Sequence, residues 1–243
     1  MFLRFADNRN PDSMASRFRR ERIRRLGELL RSAAGGPRVL DVGGTGTFWR
    51  QHLDELGVSA SVSILNLHFD EKPLVPGVSY IVGDARRMSM FEDQAFDICF
   101  SNSVIEHLGT FADQLKMAAQ IRRVAKGYFV QTPNLYFPVE PHFLVPGWQF
   151  MPVALRAKLV QRRDFGWMKR IQNPIRAREV VESIRLLTSR DLQQLFPDSI
   201  IYREKLGPFT KSITAWKPIR GDVDHDLALC SADGKYYDSQ TEK

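Results

Sequence analysis

Residues 38–49 read RVLDVGGTGTFW, an apolar strand of five residues that runs directly into glycines. From residue 47 the pattern turns helical, and that helix ends at Gly57. A glycine-rich turn between a strand and a helix sits where an open α/β sheet binds its ligands. Glycine there lets the backbone turn sharply and approach a ligand closely. The loop matches neither G-x-G-x-x-G nor D-x-G-x-G-x-G, because Gly43 and Gly44 are adjacent. Taken alone, it also admits the reading of an ordinary tight strand–helix turn.

Outward from this loop the chain alternates. Further apolar strands are predicted at 60–66, 78–82, 96–101 and 127–132. Between the last two, Thr110 opens a helix through Val124, with Asp113 as its capping-box partner. Nearly every strand position is apolar, as in a parallel sheet covered on both faces. Such alternation predicts a doubly wound α/β fold. Upstream, residues 13–34 form an amphipathic helix. Met14, Phe18, Leu26, Leu29, Leu30 and Ala33 lie on one face, and Arg17, Arg20, Arg24 and Arg31 on the other. Asp12 or Ser13 could cap its start, and Gly35-Gly36-Pro37 ends it.

The pattern breaks at Pro133. Residues 133–187 form an insertion whose start is dense in prolines and aromatics, the composition of an ordered functional loop. Within it, 152–163 and 176–187 read as helices. Thr188 or Ser189 caps another helix through Phe196. Strands 199–206 and 210–216 are joined by Gly207-Pro208, a link short enough to require an antiparallel hairpin. Residues 1–220 are therefore expected to form one domain, and 221–243 a polar tail.

The chain has 43% hydrophobic and 26% charged residues, which places it among ordinary globular proteins. Its formal charge of +7 is concentrated at residues 17–38 and 156–178. A clustered positive balance suits nucleic acid, anionic lipid or an acidic substrate, or simply a solvated face. Cys99 and Cys230 suggest no disulfide framework. No stretch approaches the roughly 18 apolar residues of a membrane span, and the N-terminus carries no signal-like run. A cytoplasmic location is expected.

Three further stretches give the loop its context. They are VGDARRM at 82–88, FDICFSNSVIEHL at 96–108, and the closing β-hairpin. Together with VLDVGGTGTFW they resemble the class I S-adenosylmethionine-dependent methyltransferases, and more narrowly those with a "methyltransferase type 11" core. The resemblance covers residues 37–135 well and the last two strands by topology. It implies a Rossmann-like, seven-stranded, mostly parallel sheet in the order 3-2-1-4-5-7-6, with the last strand antiparallel. It also implies S-adenosyl-L-methionine as cofactor. By position, Asp41, Gly43, Gly44 and Thr45 match the methionine-side loop. Asn66 matches the ribose position, Asp84 and Ala85 the adenine position, and Asn102 and Ser103 the segment beyond the fourth strand. Glu106-His107 matches a frequent Glu-His pair that more often shapes the site than does chemistry. The family's loop is one residue longer. Either a residue is deleted and Gly44 and Gly46 stay in register, which we favour, or Thr45 and Thr47 occupy glycine positions. Asn66 replaces an acid, and its amide can still accept one ribose hydroxyl bond.

Methyl transfer from a sulfonium requires alignment and exclusion of water, and a hydroxyl acceptor also needs a general base. The segment TPNLYFPVEPHFLVP, 132–146, offers His142 with Glu140, and in this fold it lies over the methyl-donor end. His142 is the expected base. His107 is the alternative and Tyr136 a weaker one, while bracing of the loop is the plainer role for Glu140 and His142. Neither His52 nor His68 has a supporting neighbour, and His225 lies in the tail. No zinc-ligand spacing is present and no metal is expected. SNSV after the fourth strand departs from the Asn/Asp-Pro-Pro-aromatic run of amino-methylating DNA enzymes, and neither cysteine has the setting of a cytosine-C5 nucleophile. Nucleic acid is thus disfavoured as acceptor. A small molecule, a sugar or a lipid-linked acceptor methylated at oxygen is expected. FLVPGWQFMPVAL, 143–155, followed by basic residues with Phe165 and Trp167, suits either an apolar lid or a peripheral contact with the inner membrane face. The contrasting reading is a non-catalytic relative that binds RNA or a membrane surface.

Overall fold

A computed structural model of the chain describes residues 14–33 and 35–219. The proposed cap at Asp12 or Ser13 and the polar tail lie outside the described residues. Seven strands form the main sheet. They are β1 (Arg38–Val42), β2 (Ser61–Asn66), β3 (Val78–Val82), β4 (Phe96–Asn102), β5 (Ala125–Pro133), β8 (Ile200–Leu206) and β9 (Phe209–Lys217). Val139–Glu140 (β6) and Val145–Pro146 (β7) pair as a separate small ribbon. The helices are α1 (Met14–Ser32), α2 (Gly46–Leu56), α3 (Phe111–Val124), α4 (Val153–Val160), α5 (Pro174–Glu182) and α6 (Ser189–Leu195).

The sheet order is β3-β2-β1-β4-β5-β9-β8, and β9 runs antiparallel to both of its neighbours. This is the doubly wound order expected from the sequence. Alternation along the strands splits the core in two. Leu40, Val42, Cys99, Tyr128 and Val130 meet α3 and α6 on one face. Val39, Val62, Ile64, Ile98, Phe100 and Phe129 meet α1 and α2 on the other. Ile23, Leu26, Leu29 and Leu30 of α1 are each 5% exposed or less, and burial of each contributes roughly 1.5–3 kcal/mol before ordering costs. Arg17, Arg20, Arg24 and Arg31 are exposed, as the helical pattern requires.

Thr110 caps α3 by accepting from the Asp113 amide at 3.1 Å. At α6, Thr188 and Asp191 form a reciprocal capping box. The insertion differs in detail from expectation. Helix 152–163 stops at Val160, where the Val160 carbonyl accepts from Ile171 N. Helix 176–187 instead spans Pro174–Glu182. Asn173 caps it and Pro174 fits its first turn, which moves the start earlier. Residues beyond it are drawn into other pairings: Arg185 N donates to Glu106 O, and Leu187 O accepts from Leu135 N. Phe143, Trp148, Val160, Phe165, Ala177 and Val181 give the insertion a small core of its own. Much of its apolar sequence is thereby buried within the insertion.

Candidate active site

The loop after β1 is built around a buried acid. Asp41 is 1% exposed, and its Oδ2 accepts from Trp49 Nε1 at 2.7 Å. Its Oδ1 has no hydrogen-bond partner. Burial pushes this carboxyl up to about 7, against the opposing pull of the Trp49 bond. Gly43 has φ +79°, and a Cβ there would collide with Val104. A Cβ on Gly44 would run into the Asp41 carboxylate, and one on Gly46 into the Tyr80 hydroxyl. The adjacent glycines are therefore required by the packing of the loop itself. Asn66 secures the loop from β2, donating from Nδ2 to Gly44 O at 2.8 Å. An aspartate at this place could not make that bond, which gives the amide a structural reason.

A cavity of about 760 Å³ opens over this loop. Gly43, Gly44, Thr45, Asn66, Asp84 and Ala85 line it, together with Val104, His107 and His68. A second cavity of about 440 Å³ shares Gly43, Gly44, Thr45 and Thr47 and adds Asp41, Asn102, Ser103, Arg19 and Arg22. The nine residues matched to the cofactor site thus all line one or other of two adjoining cavities. Asp84 is held by Arg86, whose Nη2 approaches Oδ2 at 2.7 Å, and that pairing keeps its carboxyl below the usual range. Ser103 adopts φ +58°, uncommon for a residue with a side chain. Gln131 secures it twice, its carbonyl accepting from Ser103 N and its Oε1 from Ser103 Oγ.

Arg22 was not among the expected site residues. Its Nη1 donates to Asn102 Oδ1 at 3.0 Å and its Nε lies 3.3 Å from Glu204 Oε1. Glu204 is 2% exposed and also bonds Ser212. Nearby, Lys211 stacks on Phe18, and burial followed by the charge of Arg22 lowers it to about 8. The signal was available: Arg22 lies four residues from both Phe18 and Leu26, on the apolar stripe of α1.

At the margin of the larger cavity, five groups converge from three segments. Glu106 and His107 lie on the 3₁₀ turn Ile105–Leu108, Thr132 near the end of β5, and Glu140 and His142 on and after β6. Glu140 Oε2 accepts from the amides of His142 and Phe143 at 2.8 and 2.7 Å, and its Oε1 meets His142 Nδ1 at 2.6 Å. Nε2 of His142 lies 3.2 Å from Nε2 of His107. Burial disfavours a charged His142, but the bond and charge of Glu140 outweigh it and raise its pKa. His107 falls to about 4 through burial and then the neighbouring His142. Glu106 is fully buried, accepts from Thr132 Oγ1 at 2.9 Å through Oε2, and is pushed up to about 7 by burial. The structure thus brings Glu140, His142 and His107 together. Tyr136 stands 66% exposed beside Phe150, and His52 pairs with Glu55 on α2.

Residues 40–130 match the family model described as a methyltransferase domain. That segment of the chain is therefore similar to a methyltransferase domain. An uncharacterised protein of Mycobacterium tuberculosis is 25% identical over 85 residues, 35% of this chain and 28% of its own length. The matched segment therefore spans under a third of that relative. Among solved structures, an O-methyltransferase family protein from Burkholderia thailandensis shares the fold at 15% identity and a TM-score of 0.50. That match covers 90% of this chain and 63% of that one. The PH0226 protein of Pyrococcus horikoshii is 18% identical over 86% of this chain and 93% of its own, with a TM-score of 0.49. Within the matched segment the loop Gly43–Thr45 follows the first strand, and the Glu-His pair follows the fourth.

Proposed function

We propose that the chain transfers a methyl group from S-adenosylmethionine to the oxygen of a small-molecule, sugar or lipid-linked acceptor. One observation carries the reading: two cavities share the Gly43–Thr45 loop, and the larger is edged by His107 of the Glu140–His142–His107 cluster. The residues fit the cofactor. The backbone at Gly43 and Gly44 is held bare, and the orphaned Oδ1 of Asp41 is a buried acceptor suited to an amino group. Asp84, and the Asn66 oxygen not used in securing the loop, offer acceptors for adenine and ribose. When bound, S-adenosylmethionine supplies a methyl group already activated by its sulfonium leaving group.

The chain's own part is to hold the acceptor in line, exclude water and act on the hydroxyl at the two imidazole Nε2 atoms. Glu140 fixes the ring of His142 for this task. A peripheral membrane contact is favoured by one feature. Phe150, Trp167 and Ile175 of the insertion are 60%, 59% and 71% exposed, beside exposed Arg162, Arg163, Lys169 and Arg170. Co-sedimentation with anionic vesicles, lost in the double substitution W167A/I175A, tests that contact.

The primary test is calorimetry with S-adenosylhomocysteine. Wild type should bind it, and Asp84→Ala should weaken binding at least tenfold. Labelled-methyl transfer into lysate fractions then identifies the acceptor. Absence of cofactor binding together with salt-sensitive binding of RNA or vesicles would overturn the enzyme reading.

A further inference from the structure

The cluster at the edge of the larger cavity has the composition and spacing of a metal centre. Glu106, His107 and His142 each present one ligand atom, and the three atoms lie within 4.8 Å of one another. The two Nε2 atoms are 3.2 Å apart. Two nitrogens bound at about 2.0–2.1 Å to one cation lie about 3.4 Å apart at a tetrahedral angle and about 3.0 Å apart in cis octahedral positions. The observed separation falls between these values.

A second observation points independently to a ligand. Glu106 is 0% exposed and its Oε1 has no hydrogen-bond partner, while Oε2 is occupied by Thr132. A buried carboxylate oxygen without a partner is costly unless something cationic or donating meets it. The surroundings are also those of a metal ligand set. Metal-bound histidine usually donates its other ring nitrogen to a carboxylate, and His142 Nδ1 meets Glu140 Oε1 at 2.6 Å. Glu140 is itself fixed by two backbone amides. Arg185 N, donating to Glu106 O, fixes the backbone that carries two of the three ligands.

We propose that Glu106, His107 and His142 bind one divalent transition-metal cation, with further coordination positions open toward the cavity that His107 lines. Two imidazoles and one carboxylate suit zinc or manganese better than magnesium or calcium. The bound cation would polarise the acceptor hydroxyl, so that His142 serves as a ligand. That role in turnover rests on the methyltransferase reading; cation binding does not.

The test uses the full chain, stripped with a chelator and dialysed, with neither cofactor nor acceptor present. Zn²⁺ and Mn²⁺ are titrated separately by calorimetry, and S-adenosylhomocysteine binding is measured on the same sample. One equivalent of Zn²⁺ or Mn²⁺ is expected to bind. H107Q and H142Q should each weaken binding at least tenfold, and H52A should leave it unchanged. Circular dichroism checks that each variant is folded. Spectroscopy of the wild-type complex, zinc-edge absorption or Mn²⁺ spin-echo modulation, should report two imidazole nitrogens and needs no variant. A wild-type chain that binds neither ion, a loss of less than tenfold in either folded variant, or a coordination sphere without imidazole each overturns the proposal. Cofactor binding that persists in that event leaves the methyltransferase reading standing.

Discussion

The clearest consequence of the loop's construction is a pH-dependent stability carried by Asp41. Its carboxyl rises from a usual value of 3.8 to about 7 because it is buried, so the folded chain holds the proton more tightly than the unfolded chain. The associated stability is fully present below about pH 4 and is lost as pH rises toward 7. A shift of this size corresponds to about 4 kcal/mol in all, of which roughly 2.5–3 kcal/mol is lost between pH 5 and pH 8. Asp41→Asn removes the titration. Its amide oxygen can still accept from Trp49 Nε1, but its amino group takes the place of the unpartnered Oδ1 and finds no acceptor. That unmet donor costs about 1–3 kcal/mol at every pH. D41N should therefore be less stable than wild type at pH 5, and equal or superior to it at pH 8. Urea denaturation of both proteins from pH 5 to pH 8 reads the difference, and titrations elsewhere cancel between the two chains. A stability difference that stays constant over that range would refute the assignment of the buried proton to Asp41.

Other changes test separate parts of the site. Asn66→Asp replaces the donor to Gly44 O with a group that cannot donate. It should cost about 1–2 kcal/mol in stability and weaken S-adenosylhomocysteine binding, whereas tighter binding would show that ribose contact outweighs the loop's support. Gly44→Ala drives a methyl group into the Asp41 carboxylate. It should lower stability by about 1–3 kcal/mol and abolish cofactor binding, as thermal melts and calorimetry would read. Arg22→Ala strands the buried Glu204 and should destabilise by about 3–5 kcal/mol in urea titration. Wild-type stability would mean that the ion pair is not formed in solution.

The sheet was legible because its signals are local. Each strand is a short apolar run bounded by turn residues, and Thr110 with Asp113, or Thr188 with Asp191, marks a helix start within four residues. The cavity loop was legible for the same reason. What the sequence left open depends on contacts between distant segments. Asn66 reads from sequence only as a ribose contact, because its bond to Gly44 O depends on how strands β1 and β2 are placed. Arg22 sits on the apolar stripe of α1, and only the position of Asn102 and Glu204 beneath that helix explains a charge there. The end of α5 was misjudged because Arg185 and Leu187 pair with Glu106 and Leu135. His142 and His107 are 35 residues apart and follow no ligand spacing, so their contact emerges only when β6 folds back over the 3₁₀ turn.

The buried acids join the two halves of the proposed site. Among the described residues, three buried carboxylate oxygens have no hydrogen-bond partner: Asp41 Oδ1, Glu106 Oε1 and Glu204 Oε1. Arg22, 3.3 Å away, neutralises the one on Glu204. Among the described residues no lysine or arginine pairs with Asp41 or Glu106, and the cationic charge that acts on Glu106 is that of His142. Leaving a carboxylate oxygen without a partner costs stability, although each acid uses its other oxygen, Asp41 with Trp49 and Glu106 with Thr132. Asp41 lines the cavity at the glycine loop, and Glu106 stands behind His107 at the margin of the other. An amino group at the first and a divalent cation at the second would each meet an unused oxygen.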